Sequence, residues 1–308
     1  MTGDRLLPAG AREVFLPFEG GTVRLLTGGA GPGTPVVLLH GGGSDNAAIS
    51  WYPVLAELAR DRPVLALDLP GFGYTTGIEP AGPPGTTADL AVRIAAAAGH
   101  PRAVWGGVSM GGDIALRVAL RRPGAVAGLL LVAPGGLTGL AGGSRTRHAA
   151  AWLGTRIPEP VMRPLARLAG LGARATARAV VHDPDTMPAP VVDEFVRESR
   201  RPGAGIGFYR YNRATVGPGG MRDDLSEQVR AISAPALFVH GLQDRWVSPG
   251  DSRRAAAAMP DAELVEVGRC GHWAQLERAG AFLESAARLL TRVDDAERKP
   301  PAGDDHHA

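Results

Sequence analysis

Short apolar runs alternate with stretches of helical spacing along most of this 308-residue chain. The apolar runs predict buried strands, at residues 36–39, 63–68, 103–105, 127–133, 235–241 and 263–267. The stretches of helical spacing predict helices, at residues 51–60, 87–98, 113–121 and 274–293. Strands that alternate with helices indicate a mostly parallel sheet flanked by helices, so we expect an α/β fold.

Three segments of the chain depart from the alternation of strands and helices: the amino-terminal part, an insertion and the carboxyl end. Residues 13–19 and 22–27 predict an amino-terminal hairpin. An inserted helical lid punctuated by prolines is predicted after the fourth strand, with helices at residues 149–153, 162–181 and 191–200. A polar, disordered tail is predicted at the carboxyl end. The chain is thus expected to comprise a first core segment (residues 1–136), a lid (137–220), a second core segment (221–293) and a tail (294–308).

Composition and charge exclude several classes of protein. Hydrophobic residues make up 44% of the chain, which is enough for one large core. The formal net charge is +2 without a basic block, so we expect no nucleic-acid partner. No signal peptide or membrane-length apolar segment is visible, and the single cysteine, Cys270, excludes an intramolecular disulfide. We therefore expect a cytoplasmic protein without membrane association, in which Cys270 fills space.

A serine between two glycines lies where a predicted strand meets a predicted helix. Residues 107–111 read Gly-Val-Ser-Met-Gly. This G-x-S-x-G pattern predicts a sharp turn that exposes the serine, because the glycines leave room for the neighbouring backbone. We expect Ser109 to be a nucleophile.

A serine in such a turn needs an acid and then a histidine, each after a later strand. The first acid after the fifth predicted strand is Asp244, and the loop after the sixth strand carries His272. The order predicts a triad of Ser109, Asp244 and His272. The competing acids are Asp251 and Asp261, which lie within or beyond the helix that follows Asp244.

An oxyanion hole is the remaining requirement, since a tetrahedral intermediate needs two backbone N–H donors. The first core strand, residues 36–39, ends in a His-Gly-Gly-Gly turn. We expect one donor from Met110, just after the serine, and the other from Gly42 or Gly43. His40, which opens the turn, is expected to hold the loop rather than to take part in chemistry.

Together, the serine turn, the glycine turn and the triad resemble the α/β-hydrolase superfamily over nearly the whole chain. More narrowly, the glycine turn, residues 134–137 (Pro-Gly-Gly-Leu) and residues 270–275 (Cys-Gly-His-Trp-Ala-Gln) resemble the meta-cleavage product hydrolases. That family splits a carbon–carbon bond of a vinylogous diketone with water, after a dienol has been ketonised. The resemblance implies no metal or organic cofactor. His306 and His307 in the tail do not suggest a metal site, because two adjacent histidines need further ligands.

Two features depart from the narrower family. It usually has an asparagine before the nucleophilic serine, where this chain has Val108, and it uses a lid arginine to hold the dienol carboxylate. Matching the sequence to the family's lid puts the arginine position near Phe195. Arg197 is close to it, and Arg200 and Arg201 are less so. Trp273 is expected either to form a pocket wall beside the histidine or to pack against the lid. Val108, Arg197 and Trp273 are therefore the candidate substrate-binding residues.

The expected function is that of a serine hydrolase acting through an acyl-enzyme on a medium-sized, apolar carbonyl compound, such as an ester. The alternatives are carbon–carbon bond hydrolysis of a meta-cleavage type dienol, and a ligand sensor or cyclase on the same fold. Haloalkane dehalogenases and epoxide hydrolases are disfavoured, because they place an aspartate where this chain has Ser109. The expected partner is a small-molecule substrate, and a homo-oligomer is one alternative for the quaternary state.

Overall fold

The structure, a computed structural model, describes residues 5–298, apart from the side chains of residues 167 and 169. Its strands are β1 (Arg12–Phe18), β2 (Gly21–Gly28), β3 (Val36–Leu39), β4 (Val64–Leu67), β5 (Ala103–Val108), β6 (Val126–Val132), β7 (Ala236–Gly241) and β8 (Ala262–Val267). They form one sheet in the order β1-β2-β4-β3-β5-β6-β7-β8. The pairs β1–β2 and β2–β4 are antiparallel and the others are parallel.

The helices that flank the sheet are α1 (Ala47–Ser50), α2 (Leu55–Leu58), α3 (Pro84–Ala97), α4 (Met110–Arg121), α10 (Pro249–Ala258), α11 (Ala274–Glu277) and α12 (Ala279–Arg298). The helices inserted between β6 and β7 are α5 (Arg145–Thr155), α6 (Glu159–Ala169), α7 (Ala173–Ala179), α8 (Ala189–Arg200) and α9 (Ile206–Thr215). We call this second group the inserted helices. None of the helices within residues 5–298 combines the length and the apolar composition needed to span a bilayer.

The sheet is covered by helices on both faces. Successive residues of a strand point to opposite faces, so Leu38 packs into the core under α1, α2 and α12, whereas Leu39 packs into the core under α3, α4 and α10. A strand that is buried on both faces must be apolar at every position. This explains why the central strands read as uninterrupted apolar runs.

The α/β architecture predicted from the sequence is confirmed, but three predicted helices are interrupted or partly replaced by turns. Residues 51–60 form a turn and then α2, because Pro53 disfavours helical backbone at the residue before it. Residues 162–181 are split into α6 and α7 by a segment with two glycines, which have low helix propensity. The closing helix breaks at Arg278 and then continues to Arg298, into the predicted tail. Residues 299–308, with the two adjacent histidines, lie outside the described residues.

Candidate active site

Ser109 lies at the sharp turn between β5 and α4. Its backbone has φ 55° and ψ −116°, a region that residues with a Cβ avoid. The N–H of Ser109 donates to the Val132 carbonyl at 3.0 Å, and the Ser109 carbonyl accepts from the N–H of Gly135 at 2.8 Å. Both bonds tie the turn to the end of β6, so the neighbouring strand holds the strained conformation in place.

The glycines of this turn are required by close backbone contacts. A Cβ on Gly107 would lie 2.2 Å from the Gly111 carbonyl oxygen, and a Cβ on Gly111 would lie 2.4 Å from the Leu39 carbonyl oxygen. Neither contact can be relieved by rotating a side chain. The G-x-S-x-G pattern is therefore a direct consequence of how tightly α4 starts against β3 and β5.

Asp244 and His272 come together from the loops after β7 and β8. His272 Nδ1 lies 2.7 Å from Asp244 Oδ2. The N–H of His272 donates to the Val180 carbonyl at 2.9 Å, and the N–H of Gly271 donates to the buried Glu277 carboxylate at 2.6 Å. The loop that carries His272 is therefore anchored both to the end of α7, one of the inserted helices, and to Glu277 of α11.

The Asp244 carboxylate accepts four hydrogen bonds. Oδ1 accepts from the N–H groups of Trp246 at 2.7 Å and Val247 at 3.1 Å. Oδ2 faces the imidazoles of His272 and, at 3.1 Å, His240. Burial alone would raise the pKa of Asp244, but the charge and hydrogen bonds of the two histidines outweigh burial and hold that pKa well below its usual range. The carboxylate therefore stays ionised at neutral pH.

The two competing acids have other partners. Asp251 lies on α10 and forms an ion pair with Arg254. Asp261 lies before β8 and forms an ion pair with Arg292 at 3.1 Å. The structure thus brings Asp244, and neither competitor, to the imidazole of His272.

The glycine turn after β3 presents free backbone donors. The N–H of Gly41 donates to the Asp45 carboxylate at 2.7 Å. Within residues 5–298, the N–H groups of Gly42 and Gly43 donate to no protein acceptor. Gly42, Gly43 and Met110 line the same cavity, and Met110 is the first residue of α4, where an N–H has no partner within the helix.

Asp45 supports this turn, although no sequence motif predicted it. Its carboxylate also accepts from the Ser50 hydroxyl at 2.6 Å and from the N–H of Asn46 at 2.8 Å. Burial raises the pKa of Asp45 to about 7, against the opposing effect of these hydrogen bonds. An aspartate placed directly after the glycine turn is the only local signal that could have indicated this role.

Gly42→Ala is expected to lower kcat/KM by about 100-fold. A Cβ at this position would lie 2.2 Å from the Phe208 ring, so the ring or the turn must move. A displacement of about 1 Å at a catalytic group costs on the order of 100-fold in rate. Steady-state kinetics with an aryl ester measures the loss. In a protein that already carries Phe208→Ala, the added Cβ no longer meets the ring, so Gly42→Ala should lower kcat/KM by about tenfold or less. An equal loss in both backgrounds would contradict this explanation.

A cavity of about 480 Å³ connects the parts of the site. Ser109 and His272 both line it, and so do residues of the inserted helices. Among the described residues that line the cavity, none is aspartate, glutamate, lysine or arginine. The described part of the lining therefore offers a bound molecule no acidic or basic side chain other than His272.

Two aromatic pairs form the apolar walls. Phe195 of α8 meets Trp273 edge to face, with ring centroids 6.2 Å apart. Phe208 stacks on Tyr211, both from α9, with centroids 6.0 Å apart. All four rings line the cavity, and Trp273 both borders it and packs against an inserted helix through Phe195.

Two predicted substrate-binding residues lie away from this cavity. Val108 is fully buried in β5, within the sheet core. Arg197 forms an ion pair with Glu194 and lines an outer groove with Tyr74. Arg197 does not line the cavity, whereas Phe195 does, because residues two apart on a helix point about 200° apart.

His40 and Cys270 have structural contacts. The N–H of Leu69 donates to His40 Nε2 at 3.1 Å, and His40 Nδ1 donates to the Gly41 carbonyl at 2.7 Å. Burial lowers the pKa of His40, so the ring is neutral and holds the turn. Burial raises the pKa of the Cys270 thiol to about 12, which leaves it unreactive. Within residues 5–298, no three His, Cys, Asp or Glu side chains are grouped as metal ligands would be.

Comparisons with known proteins agree with the motifs. A family model described as alpha/beta hydrolase fold matches residues 34–279. The chain is similar to 2-hydroxymuconate semialdehyde hydrolase from Pseudomonas sp. strain CF600, with 29% identity over 94% of this chain and 98% of that protein. It is also similar to 2-hydroxy-6-oxo-2,4-heptadienoate hydrolase from Pseudomonas putida strain F1, with 31% identity over 86% of this chain and 91% of that protein.

A solved structure of a similar protein also matches this chain. The 2-hydroxy-6-oxo-6-phenylhexa-2,4-dienoate hydrolase from Rhodococcus sp. strain RHA1 superposes with a TM-score of 0.71 and 25% identity. The match covers 91% of this chain and 99% of that one. The resemblance to meta-cleavage product hydrolases inferred from the motifs is confirmed.

Proposed function

Because this chain belongs to the α/β-hydrolase family and is a hydrolase, we propose that Ser109 is its nucleophile. Ser109 Oγ attacks the carbonyl carbon of the substrate while His272 Nε2 takes the hydroxyl proton. Asp244 accepts from Nδ1 of His272, fixing the tautomer that can receive this proton. The carbonyl oxygen becomes an oxyanion, which the N–H of Met110 and that of Gly42 or Gly43 stabilise.

The second half of the reaction reverses these proton transfers. His272 gives its proton to the leaving group, whose bond to the carbonyl carbon breaks and leaves an acyl-enzyme on Ser109. His272 then takes a proton from water, the hydroxide adds to the acyl carbon, and the proton returns to Ser109 as the acid leaves. The observation that carries this mechanism is that a strained serine, a histidine paired with a buried carboxylate, and free N–H donors border one cavity, with the carboxylate behind the histidine.

The character of the cavity supports an uncharged substrate. Its walls carry two aromatic pairs, and its described lining has no acidic or basic side chain besides His272. Burying a charged group without a partner is costly. We therefore assign the enzyme to medium-sized, largely apolar carbonyl compounds, such as an ester of an aryl alcohol.

A second candidate function, carbon–carbon bond hydrolysis of a dienol, is the one that the comparisons favour over ester hydrolysis. The names of the three similar proteins, each a hydrolase of a 2-hydroxydienoate or semialdehyde, support it. A substrate of this kind carries a carboxylate, which needs a cation beside it. On α8 the residues that line the cavity are Phe195 and Ser199, and the nearby Arg197 pairs with Glu194 on the outer side.

The two candidates predict different substrate preferences. We expect measurable hydrolysis of aryl esters and weak cleavage of meta-cleavage dienols. An unpaired carboxylate in an apolar site costs about 2 to 5 kcal/mol, which suppresses the dienol reaction by more than about tenfold. Steady-state kinetics of the wild type on both substrate classes measures the preference.

Two variants sharpen this comparison. Arg197→Ala removes a cation outside the cavity and should leave both rates within about twofold. Phe195→Arg places a cation in the cavity and should shift the preference toward the dienol. Efficient dienol cleavage that collapses in Arg197→Ala would overturn the ester assignment. Tight ligand binding without turnover of either class would instead favour the sensor alternative.

A further inference from the structure

Two imidazole rings meet at one carboxylate oxygen in this site. His240 lies near the end of β7 and is fully buried. Its Nε2 lies 3.1 Å from Asp244 Oδ2 and 3.2 Å from the Val247 carbonyl oxygen. Nδ1 of His272 lies 2.7 Å from the same Asp244 Oδ2. The mechanism above assigns no role to His240.

The partners of His240 determine where its protons are. A carboxylate and a carbonyl only accept hydrogen bonds, so Nε2 must carry a hydrogen. On the other side of the ring, Nδ1 lies 2.7 Å from the hydroxyl oxygen of the buried Ser252 on α10. When the His240 ring is neutral, Nδ1 carries no hydrogen and accepts one from the Ser252 hydroxyl. Every polar hydrogen of these side chains then has an acceptor. The structure therefore contains a buried chain from Ser252 through His240 to Asp244.

We propose that His240 is a positioning residue that acts through Asp244. By donating its Nε2–H to Oδ2, it keeps this oxygen toward His272 and shares its negative charge. A carboxylate oxygen that serves two donors attracts the proton on His272 less strongly than one that serves a single donor. Without His240, Asp244 would therefore hold the proton of His272 more tightly. This inference rests on the proposed function of the triad.

Other ionisable groups around this pair do not compete for the role. Asp251 on α10 forms an ion pair with Arg254 and faces His240 only through longer-range charge. Burial raises the pKa of Cys270, on the histidine loop, to about 12. Glu277 accepts hydrogen bonds from three backbone N–H groups at its own site on α11. The donors on Asp244 Oδ2 are therefore the two histidines alone, among the described residues.

The test compares pH–rate profiles of variants that keep or remove the donor. The probe is a short-chain 4-nitrophenyl ester, and the variants are His240→Gln, His240→Leu and Ser252→Ala. In His240→Gln the amide nitrogen takes the place of Nε2. Ser252→Ala disturbs the same buried cluster but leaves the Nε2 donor, which makes it the matched control.

We expect the acid limb of kcat/KM to move up by roughly one pH unit in His240→Leu, with the plateau above it preserved within about threefold. Below the limb, kcat/KM should therefore fall about tenfold. The glutamine and alanine variants should keep the wild-type limb. If the leucine variant does not fold, His240→Asn, whose amide is too short to reach Oδ2, replaces it. The proposal would be overturned if the acid limb did not move in His240→Leu. It would also be overturned if the acid limb of His240→Gln moved as far as that of His240→Leu.

A second measurement separates this proposal from the function on which it rests. The low-field NMR resonance of the His272 Nδ1 hydrogen reports its bond to Asp244 without any substrate. It should move further downfield in His240→Leu, because Oδ2 then serves one donor, and should stay in place in His240→Gln. If Ser109→Ala keeps full turnover, the serine mechanism fails while this resonance still tests His240. An unchanged resonance in the leucine variant counts against His240 whatever the enzyme hydrolyses.

Discussion

Ser109→Ala is expected to lower kcat by about 10⁴-fold or more while leaving the fold intact. The variant loses the group that forms the acyl-enzyme, so only substrate binding and the oxyanion donors remain to accelerate the reaction. The contacts that hold the turn are backbone hydrogen bonds of Ser109 with Val132 and Gly135, and alanine keeps them. Steady-state kinetics and thermal unfolding of the variant and the wild type measure the two aspects of this prediction.

A matched control is available in the same cavity. Ser199 also lines it, but its hydroxyl donates to the Val196 carbonyl at 2.7 Å. Ser199→Ala should therefore keep kcat within about threefold. His272→Ala should behave like Ser109→Ala, and the double variant should cost little more than either single change, because the two groups act as a unit. Near-normal turnover in Ser109→Ala would exclude the serine mechanism.

Asp244→Asn is expected to lower kcat by about 10⁴-fold and to keep substrate binding. The N–H groups of Trp246 and Val247 hold one oxygen, so the asparagine amide nitrogen must take the place of Oδ2. An amide nitrogen donates, and His272 Nδ1 must then accept from it. The hydrogen of the neutral ring moves to Nε2, where it blocks transfer of the Ser109 proton.

The same substitution at a competing acid tests the assignment. Asp261→Asn removes a partly exposed ion pair with Arg292 and should change kcat less than about twofold. Steady-state kinetics gives kcat for both variants, and a ligand titration of Asp244→Asn shows whether substrate binding is kept. A silent Asp244→Asn together with an inactive Asp261→Asn would mean that the acid has been placed on the wrong loop.

Several features of this protein follow from the sequence because their causes are local. The apolar runs predict the strands, since a strand covered on both faces must be apolar throughout. The G-x-S-x-G turn follows from contacts within residues 107–111 and with the adjacent strand, where a Cβ would lie 2.2 Å from a carbonyl oxygen. The order of the serine, the acid and the histidine predicts their meeting, because the carboxyl ends of parallel strands share one edge of a sheet.

The tertiary structure alone decided which side chains enter the cavity and which hold Asp244 against His272. Phe195 faces the cavity and Arg197 does not, because the rotation of α8 against the core is fixed by contacts with residues far away in sequence. Likewise, Phe208 lies over Gly42, although it belongs to α9, the last of the inserted helices. His240 reads as one more residue of a buried strand, and only packing against Ser252 and the loop of Asp244 gives it a polar role. Local sequence patterns determine backbone conformation, whereas the direction of a side chain depends on the elements packed around it.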